Sequence, residues 1–160
     1  MRLPNALAIL LSCLLLSVNV AADFDDGMVA YEEGDYETGL REFQSLAEQG
    51  DAAAQTNLGY MYARGKVVLQ DNKEAVKWYT KAAEGGDALA QVNLGVMYAK
   101  GRGVLKNNVY AHMWFNIASS NGSENARANR DRAAKRMTPN QLAEGQSLAR
   151  ECVKKDYKNC

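Results

Sequence analysis

A 36-residue unit is written twice in succession in this chain. Residues 54–65, AQTNLGYMYARG, return at 90–101 as AQVNLGVMYAKG, with nine of the twelve positions identical. Four pairs of identical residues, each 36 positions apart, are expected to have structural roles: Leu58 and Leu94, Gly59 and Gly95, Tyr62 and Tyr98, and Trp78 and Trp114. A fixed period of this length is typical of small helical units that stack and bury their apolar sides against one another. We therefore predict an all-α chain, folded as a right-handed α/α superhelical solenoid of antiparallel helix pairs.

Each unit is predicted to form two helices. In the first helix, Ala54, Leu58 and Met61 recur at helical spacing and give one apolar face. Asp51 is placed to cap the N-terminus of this helix, and Gly65 follows its last turn, where a left-handed residue is favoured.

The second helix of the unit begins near Asp71, which has capping-box spacing with Glu74. Gly59 lies in the middle of the first helix, where glycine costs about 1 kcal/mol relative to alanine. We expect that this glycine lets the second helix approach closely and receives the rings of Trp78 and Tyr79.

The two repeats set the division of the chain into segments. Residues 23–50 are predicted to form a first helix pair, residues 51–86 and 87–122 the two repeats, and residues 123–160 the capping helices. The segment TPNQ at 138–141 has the residues of a helix start: a capping threonine, a proline at the first position and a glutamine that completes the box. We expect about eight helices and no strands.

Residues 1–22 have the pattern of a cleaved secretory signal. Arg2 precedes an apolar run over 7–18, and small residues stand at 20–22 before DFDD. The run is short for a membrane span, which needs roughly 20 apolar residues. An uncleaved anchor and a lipoprotein signal at Cys13 are alternatives. We expect a periplasmic or secreted protein without an integral membrane segment after cleavage.

The charges balance overall but are unevenly placed. Without residues 1–22 the chain has 18 basic and 19 acidic side chains, so it lacks the basic surplus typical of nucleic-acid-binding proteins. Residues 23–50 hold nine acids and one base, whereas residues 51–160 hold ten acids and 17 bases. Solvated helix faces would account for this asymmetry, and so would opposite poles that steer charged partners.

After the predicted cleavage, only Cys152 and Cys160 remain. An even pair in an oxidising compartment favours a structural disulfide. On one unbroken helix the two residues would lie about 12 Å apart, whereas a disulfide needs Cα atoms within about 7 Å. Either the helix ends before Cys160 and the tail folds back, or both thiols stay free.

The repeated segments resemble a known family. AQTNLGYMYARG, DNKEAVKWYTKAAEGGD and AQVNLGVMYAKGRGV are similar to Sel-one-like repeats, the longer-loop relatives of tetratricopeptide repeats. GDYETGLREFQSLAEQGD, within residues 23–50, resembles the tetratricopeptide-like helix pair that often precedes them, and RDRAAKRMTPNQLAEGQSLAREC resembles the C-terminal cap of secreted bacterial members. Two loop positions depart from the pattern: Val67, where the second copy keeps Gly103, and Asn107, where the first keeps Asp71. The resemblance implies an adaptor that assembles or regulates complexes of the bacterial envelope.

A partner would bind on the concave side, which the first helix of each stacked pair lines. The face opposite Leu58 is mostly apolar and is edged by Arg64 and Lys100, although a solvated face should be polar. We predict an apolar groove with a basic lip, suited to a peptide or helix with an acidic flank. Its predicted residues are Thr56, Tyr60, Arg64, Leu89, Val92, Val96 and Lys100. Alternatively, neighbouring first helices and the C-terminal cap cover this face and make it ordinary core.

Catalytic and metal-binding patterns are absent from the sequence. It contains no G-x-S-x-G, no H-E-x-x-H and no serine followed three positions later by lysine. The single histidine, His112, is predicted to be structural, and we expect no metal and no cofactor. Cysteine-rich relatives are linked to beta-lactam binding or hydrolysis, but they carry a cysteine pair in every repeat, and residues 23–151 hold none.

Three functions remain after this comparison. The first is a non-catalytic scaffold that binds another protein in its concave groove. The second is a cell-wall module that recognises peptidoglycan or polysaccharide machinery. The third is a beta-lactam or peptidoglycan hydrolase, which the missing motifs disfavour.

Overall fold

The computed structural model describes residues 23–160, which form eight α-helices without a strand. The helices are α1 (Phe24–Glu33), α2 (Tyr36–Glu48), α3 (Ala52–Arg64), α4 (Asn72–Glu84), α5 (Ala88–Lys100), α6 (Asn108–Ser120), α7 (Glu124–Ala134) and α8 (Pro139–Lys154). The predicted all-α solenoid is confirmed. The predicted secretory signal, residues 1–22, lies outside the described residues. Between residues 23 and 160, no helix is long and apolar enough to cross a bilayer.

The ends of the repeat helices follow from local chemistry. The Asp51 carboxylate accepts a hydrogen bond from the backbone N–H of Ala54 at 2.7 Å, which satisfies a donor that the first turn of α3 leaves free. Gly65 ends the same helix with φ 66°, and Gly101 ends α5 with φ 67°. Both repeats therefore begin and end their first helix where the sequence predicts.

Only one of the two predicted capping boxes is complete. At α8, Thr138 and Gln141 exchange both hydrogen bonds, at 3.3 and 3.0 Å. At α4, Asp71 accepts from the backbone N–H of Glu74 at 3.1 Å, but the Glu74 carboxylate lies 2.8 Å from Lys77 Nζ instead of reaching back to Asp71. The start of α4 is capped from one side only.

The helices pack as antiparallel pairs, α1 with α2, α3 with α4 and α5 with α6, and each pair stacks on the next. One apolar cluster joins the first pair to the first repeat through Phe43, Leu58, Met61 and Trp78. A larger cluster joins the two repeats to α8, and its largest members are Tyr79, Leu94, Met97, Met113, Trp114 and Ile117. Because each cluster draws on two or more units, no single pair buries its own apolar side.

The mid-helix glycines of the repeats receive one aromatic ring each. A Cβ built on Gly59 would lie 2.8 Å from the Tyr79 ring, and one on Gly95 would lie 2.6 Å from the Phe115 ring. The three atoms nearest to a Cβ on Gly59 all belong to Tyr79, whereas Trp78 packs in the cluster with Phe43 and Leu58. Successive residues on a helix point in directions about 100° apart, so Trp78 turns instead toward the first helix pair.

Buried glutamines tie each repeat to the unit before it. The side-chain amide of Gln55 donates to the carbonyl of Ala47 near the end of α2, at 3.0 Å. Gln91 donates in the same way to Ala83 near the end of α4, at 3.3 Å. These bonds satisfy carbonyl groups at helix ends and fix the register between successive units.

The loop departure at Val67 has a structural reason. Val67 and its counterpart Gly103 both have left-handed backbone, with φ 70° and 72°. Gly103 lies against the backbone carbonyl of Asn72 at the start of α4, where a Cβ would clash. The side chain of Val67, by contrast, is 44% exposed, so this loop has room for a valine.

The C-terminal tail folds back and is closed by a disulfide. Cys152 in α8 and Cys160 are bonded, with their Cα atoms 5.3 Å apart. Of the two alternatives that the spacing allows, the structure contains the bridge. α8 packs against α6, and the tail beyond it reaches α4, where Lys158 Nζ donates to the carbonyl of Glu84 at 2.6 Å.

Candidate functional site

A groove runs across the first helices of the repeats and of the cap. It consists of three adjoining depressions of about 280, 500 and 260 Å³, the first two between α3 and α5 and the third between α5 and α7. Neighbouring depressions share Tyr60 and Asn93 at one junction and Val96 and Lys100 at the other. We call this continuous surface the groove.

Four of the seven predicted groove residues lie together and face solvent. Leu89 is 61% exposed and borders the first depression beside Tyr60. The Arg64 guanidinium stands over the Tyr60 ring at 5.3 Å, and Lys100 lines the second and third depressions. The structure thus brings an apolar patch and two cations into one surface, as the predicted groove requires.

The other three predicted residues are wholly or partly covered. Thr56 is buried, and its hydroxyl lies 2.9 Å from the carbonyl of Ala52 and 3.0 Å from the Asp87 carboxylate, so it offers no free hydroxyl. Val92 and Val96 are partly buried against the cluster that contains Phe115 and Ala133. The alternative of a covered face therefore applies to Val92 and Val96, because α7 packs over them.

Three asparagines along the groove were missed by the sequence reasoning. Asn57, Asn93 and Asn129 stand 36 residues apart on α3, α5 and α7, and each lines a depression. Asn57 donates to the carbonyl of Ala53 at 3.1 Å, and Asn129 accepts from Arg132 at 3.1 Å. A comparison of the sequence with itself at an offset of 36 residues would have identified them. Asn129, however, lies beyond the second repeat, where the other residues of the repeat are no longer kept.

The groove is more basic than the sequence suggested. Its lining contains five cationic side chains and no Asp or Glu; the cations are Arg64, Lys100, Arg102, Arg132 and Arg136. The ion pairs found in residues 23–160 all involve other side chains. Like charges along one concave surface add to a positive potential that attracts acidic ligands.

His112 lies outside the groove, between α6, α7 and α8. It is 2% exposed, and its Nδ1 atom has no hydrogen-bond partner among the described residues. Burial, and secondarily the Arg130 guanidinium, lowers the pKa of the imidazole below its usual value, while Asp131 opposes this shift. Within residues 23–160, no three His, Cys, Asp or Glu side chains are grouped so that they could hold a metal ion.

Comparison with known proteins identifies the family of these repeats. The family model described as Sel1 repeat matches residues 52–87 and 88–123. The crystal structure of a Sel1 repeat protein from Oxalobacter formigenes superposes with a TM-score of 0.62 at 35% identity, covering 68% of this chain and 84% of that one. The chain belongs to the Sel1 repeat family. The Sel1 repeat fold is typical of protein interaction scaffolds.

A second solved Sel1-like structure is larger. The c5321 protein, a protective antigen present in uropathogenic Escherichia coli strains, superposes with a TM-score of 0.77 at 32% identity over 82% of this chain. The present chain spans only 30% of that protein. No curated protein sequence matches the chain significantly.

Proposed function

We propose that this Sel1 repeat protein is a non-catalytic scaffold that binds an acidic peptide, or the acidic flank of a helix, in the groove. The observation that carries the proposal is a continuous surface across three helices with five cations and no acid in its lining. A ligand with carboxylates at intervals would pair with these cations without having to displace a competing intramolecular carboxylate.

The uncharged part of the groove supplies the other contacts that a peptide needs. Tyr60 and Leu89 form an apolar patch at one end, where a hydrophobic side chain of the ligand could pack. The amides of Asn57, Asn93 and Asn129 can donate to, and accept from, the peptide backbone. Together they would hold an extended chain while the cations select its charge.

We propose further that this scaffold works in the bacterial periplasm or outside the cell. The signal-like pattern of residues 1–22 supports this location, because a positive start, a short apolar run and small residues are the features of exported chains. The bond between Cys152 and Cys160 supports it independently, since such bonds persist in oxidising compartments.

A peptide display library tests the groove. Residues 23–160 of the wild type should enrich acidic peptides, and the double variant K100E/R132E should lower their binding by about tenfold or more, because two attractive charges become repulsive. K154E/K155E, which makes the same charge change on exposed lysines at the end of α8, is the matched control and should bind as the wild type does.

The same library can contradict the proposal. Selection of peptides without acidic residues, or equal loss of binding in the groove variant and the control, would mean that the groove is not the ligand site. Purified sacculi that bind the wild type and not K100E/R132E would instead favour the cell-wall module, since an anionic wall polymer would use the same cations.

A further inference from the structure

Each repeat exposes a leucine at the same point of its long loop. Leu69 is 92% exposed and Leu105 is 90% exposed, although leucine is ordinarily buried. In each loop the preceding valine, Val68 or Val104, packs against an apolar cluster of the core. The anchored valine leaves the next side chain directed away from the protein.

The two leucines lie on one edge of the solenoid. Their loops both connect a first helix to a second helix, and Gly103 in the second loop lies against Asn72 at the end of the first. We call the surface formed by residues 65–71, 101–107 and the α7–α8 turn the leucine edge. Two apolar side chains on adjacent loops form a recurrent feature rather than an isolated exposed residue.

The leucine edge is rich in basic residues. Its cations are Lys66, Arg102, Lys106, Lys135 and Arg136. Arg102 and Arg136 also line the groove, and Lys66 Nζ lies 5.0 Å from the centre of the Tyr36 ring. Its one acid, Asp71, is engaged in capping α4. The turn between α1 and α2, next along the same side, is acidic, so the basic stretch belongs to the repeats and the cap.

The opposite edge, where second helices lead into first helices, has the contrary character. Acids stand at its turns, namely Glu48, Asp51, Glu84, Asp87 and Glu124. Leu89, which is 61% exposed, stands in the first turn of α5 next to Asp87, and among the described residues no other strongly exposed large apolar side chain adjoins these turns. The leucine edge is therefore the side on which apolar tips and positive charge coincide.

We propose that the leucine edge docks on a bilayer surface rich in anionic phospholipid. Leu69 and Leu105 enter the boundary between headgroups and acyl chains, and the lysines and arginines beside them face the phosphates. A bilayer suits these side chains better than a protein does. Leucines that are about 90% exposed have few neighbours with which to form a patch that a rigid partner could cover, whereas a fluid surface needs no preformed complement.

Vesicle flotation tests this docking with residues 23–160, because the apolar run at 7–18 would itself partition into lipid. The protein should float with vesicles of phosphatidylglycerol and phosphatidylethanolamine and not with phosphatidylcholine alone. The variant L69S/L105S should lower the partition coefficient about tenfold, since two inserted apolar side chains are lost. L89S removes an exposed leucine of the groove and should float as the wild type does.

Tryptophan variants report which side chains enter the lipid. L69W and L105W should shift to shorter emission wavelength on the anionic vesicles and be quenched by brominated lipid, whereas L89W should respond to neither. The natural tryptophans give a small background response, because Trp78 and Trp114 are only 7% and 2% exposed.

Three results would overturn the docking proposal. They are equal flotation with anionic and zwitterionic vesicles, unchanged flotation of L69S/L105S, and an L89W response as large as that of L69W. If L69S/L105S floats normally but loses a soluble acidic protein that the wild type binds, the leucine edge is a protein site and the bilayer proposal is wrong.

Discussion

At three places in the described chain, a helical glycine lies against an aromatic ring of the paired helix. The pairs are Gly27 with Phe43, Gly59 with Tyr79, and Gly95 with Phe115. The three aromatic residues follow the 36-residue period, but Gly27 precedes Gly59 by only 32 residues, because the first helix pair has a shorter connecting loop. A comparison at fixed offset therefore finds the rings and misses the first glycine.

Replacement of Gly95 by alanine measures this contact. Helix propensity alone would stabilise the variant by about 1 kcal/mol, but the added Cβ would lie 2.6 Å from the Phe115 ring. We expect a net loss of about 2 kcal/mol in the free energy of unfolding, because overpacking of a rigid site costs more than propensity returns. Urea unfolding followed by circular dichroism provides the measurement.

The double variant G95A/F115L is the control for the same site. In the F115L background the ring is gone, so alanine at position 95 should cost little or should stabilise the helix. If G95A has the same effect in both backgrounds, the glycine does not serve to admit the ring.

At the scale of helices, α8 does not form an antiparallel pair with α7, as α4 does with α3; it packs against α6. Gly145 makes this approach possible, since a Cβ there would lie 3.1 Å from His112 Nδ1 and 3.3 Å from the carbonyl of Val109. The imidazole is thus enclosed by the helix that covers it, which is the physical reason for the lowered pKa of His112.

This enclosure predicts that the fold weakens as the pH falls below about 6.5, the ordinary pKa of histidine. The unfolded chain then binds a proton that the native His112 does not, so unfolding becomes more favourable until the native pKa is reached. Each unit by which the pKa is lowered corresponds to about 1.4 kcal/mol. The difference in unfolding free energy between wild type and H112Q, measured from pH 8 to pH 5, should move in favour of H112Q as the pH decreases. Parallel pH profiles for the two proteins would contradict the prediction.

At the scale of the whole molecule, the disulfide-closed tail links α8 to the first repeat. Besides Lys158, the backbone N–H of Asn159 donates to the Glu84 carboxylate at 2.9 Å, and the Tyr157 hydroxyl lies 3.4 Å from Asn121 Oδ1. Three residues of the tail other than glycine have positive φ, namely Asp156, Tyr157 and Asn159. Such a backbone persists only where surrounding bonds hold it.

Reduction of the disulfide should therefore lower the free energy of unfolding by about 2–3 kcal/mol, the value expected for a short closed loop. Denaturant unfolding with and without a thiol reductant gives the measurement. The variant C152S/C160S should have the same free energy of unfolding as the reduced protein, and the reductant should not change it. Hydrogen exchange near Glu84 should also accelerate when the bond is absent. An unchanged midpoint on reduction would mean that the tail stabilises nothing.

The repeat period predicted most of the fold, because one apolar pattern specifies both the helix pairs and their stacking. It could not predict the direction of α8, which depends on the fit of Gly145 to α6, nor which of Trp78 and Tyr79 would face Gly59. For the groove, the pattern indicated Tyr60, Leu89, Arg64 and Lys100. It gave no sign that Thr56 is buried and bonded, because the hydrogen bond from the Thr56 hydroxyl to the Asp87 carboxylate joins positions 31 residues apart and follows no period.

The extent of the groove across α3, α5 and α7 also limits the length of ligand that it can contact. Leu89 and Lys100, which border its first and second depressions, are eleven residues apart on α5 and therefore about 16 Å apart along the helix axis. The step from α5 to α7 adds about 9 Å. An extended chain advances at most about 3.5 Å per residue, so about seven residues would fill the combined span. A longer ligand would gain no further contacts along the groove, so affinity should level off at about heptapeptide length.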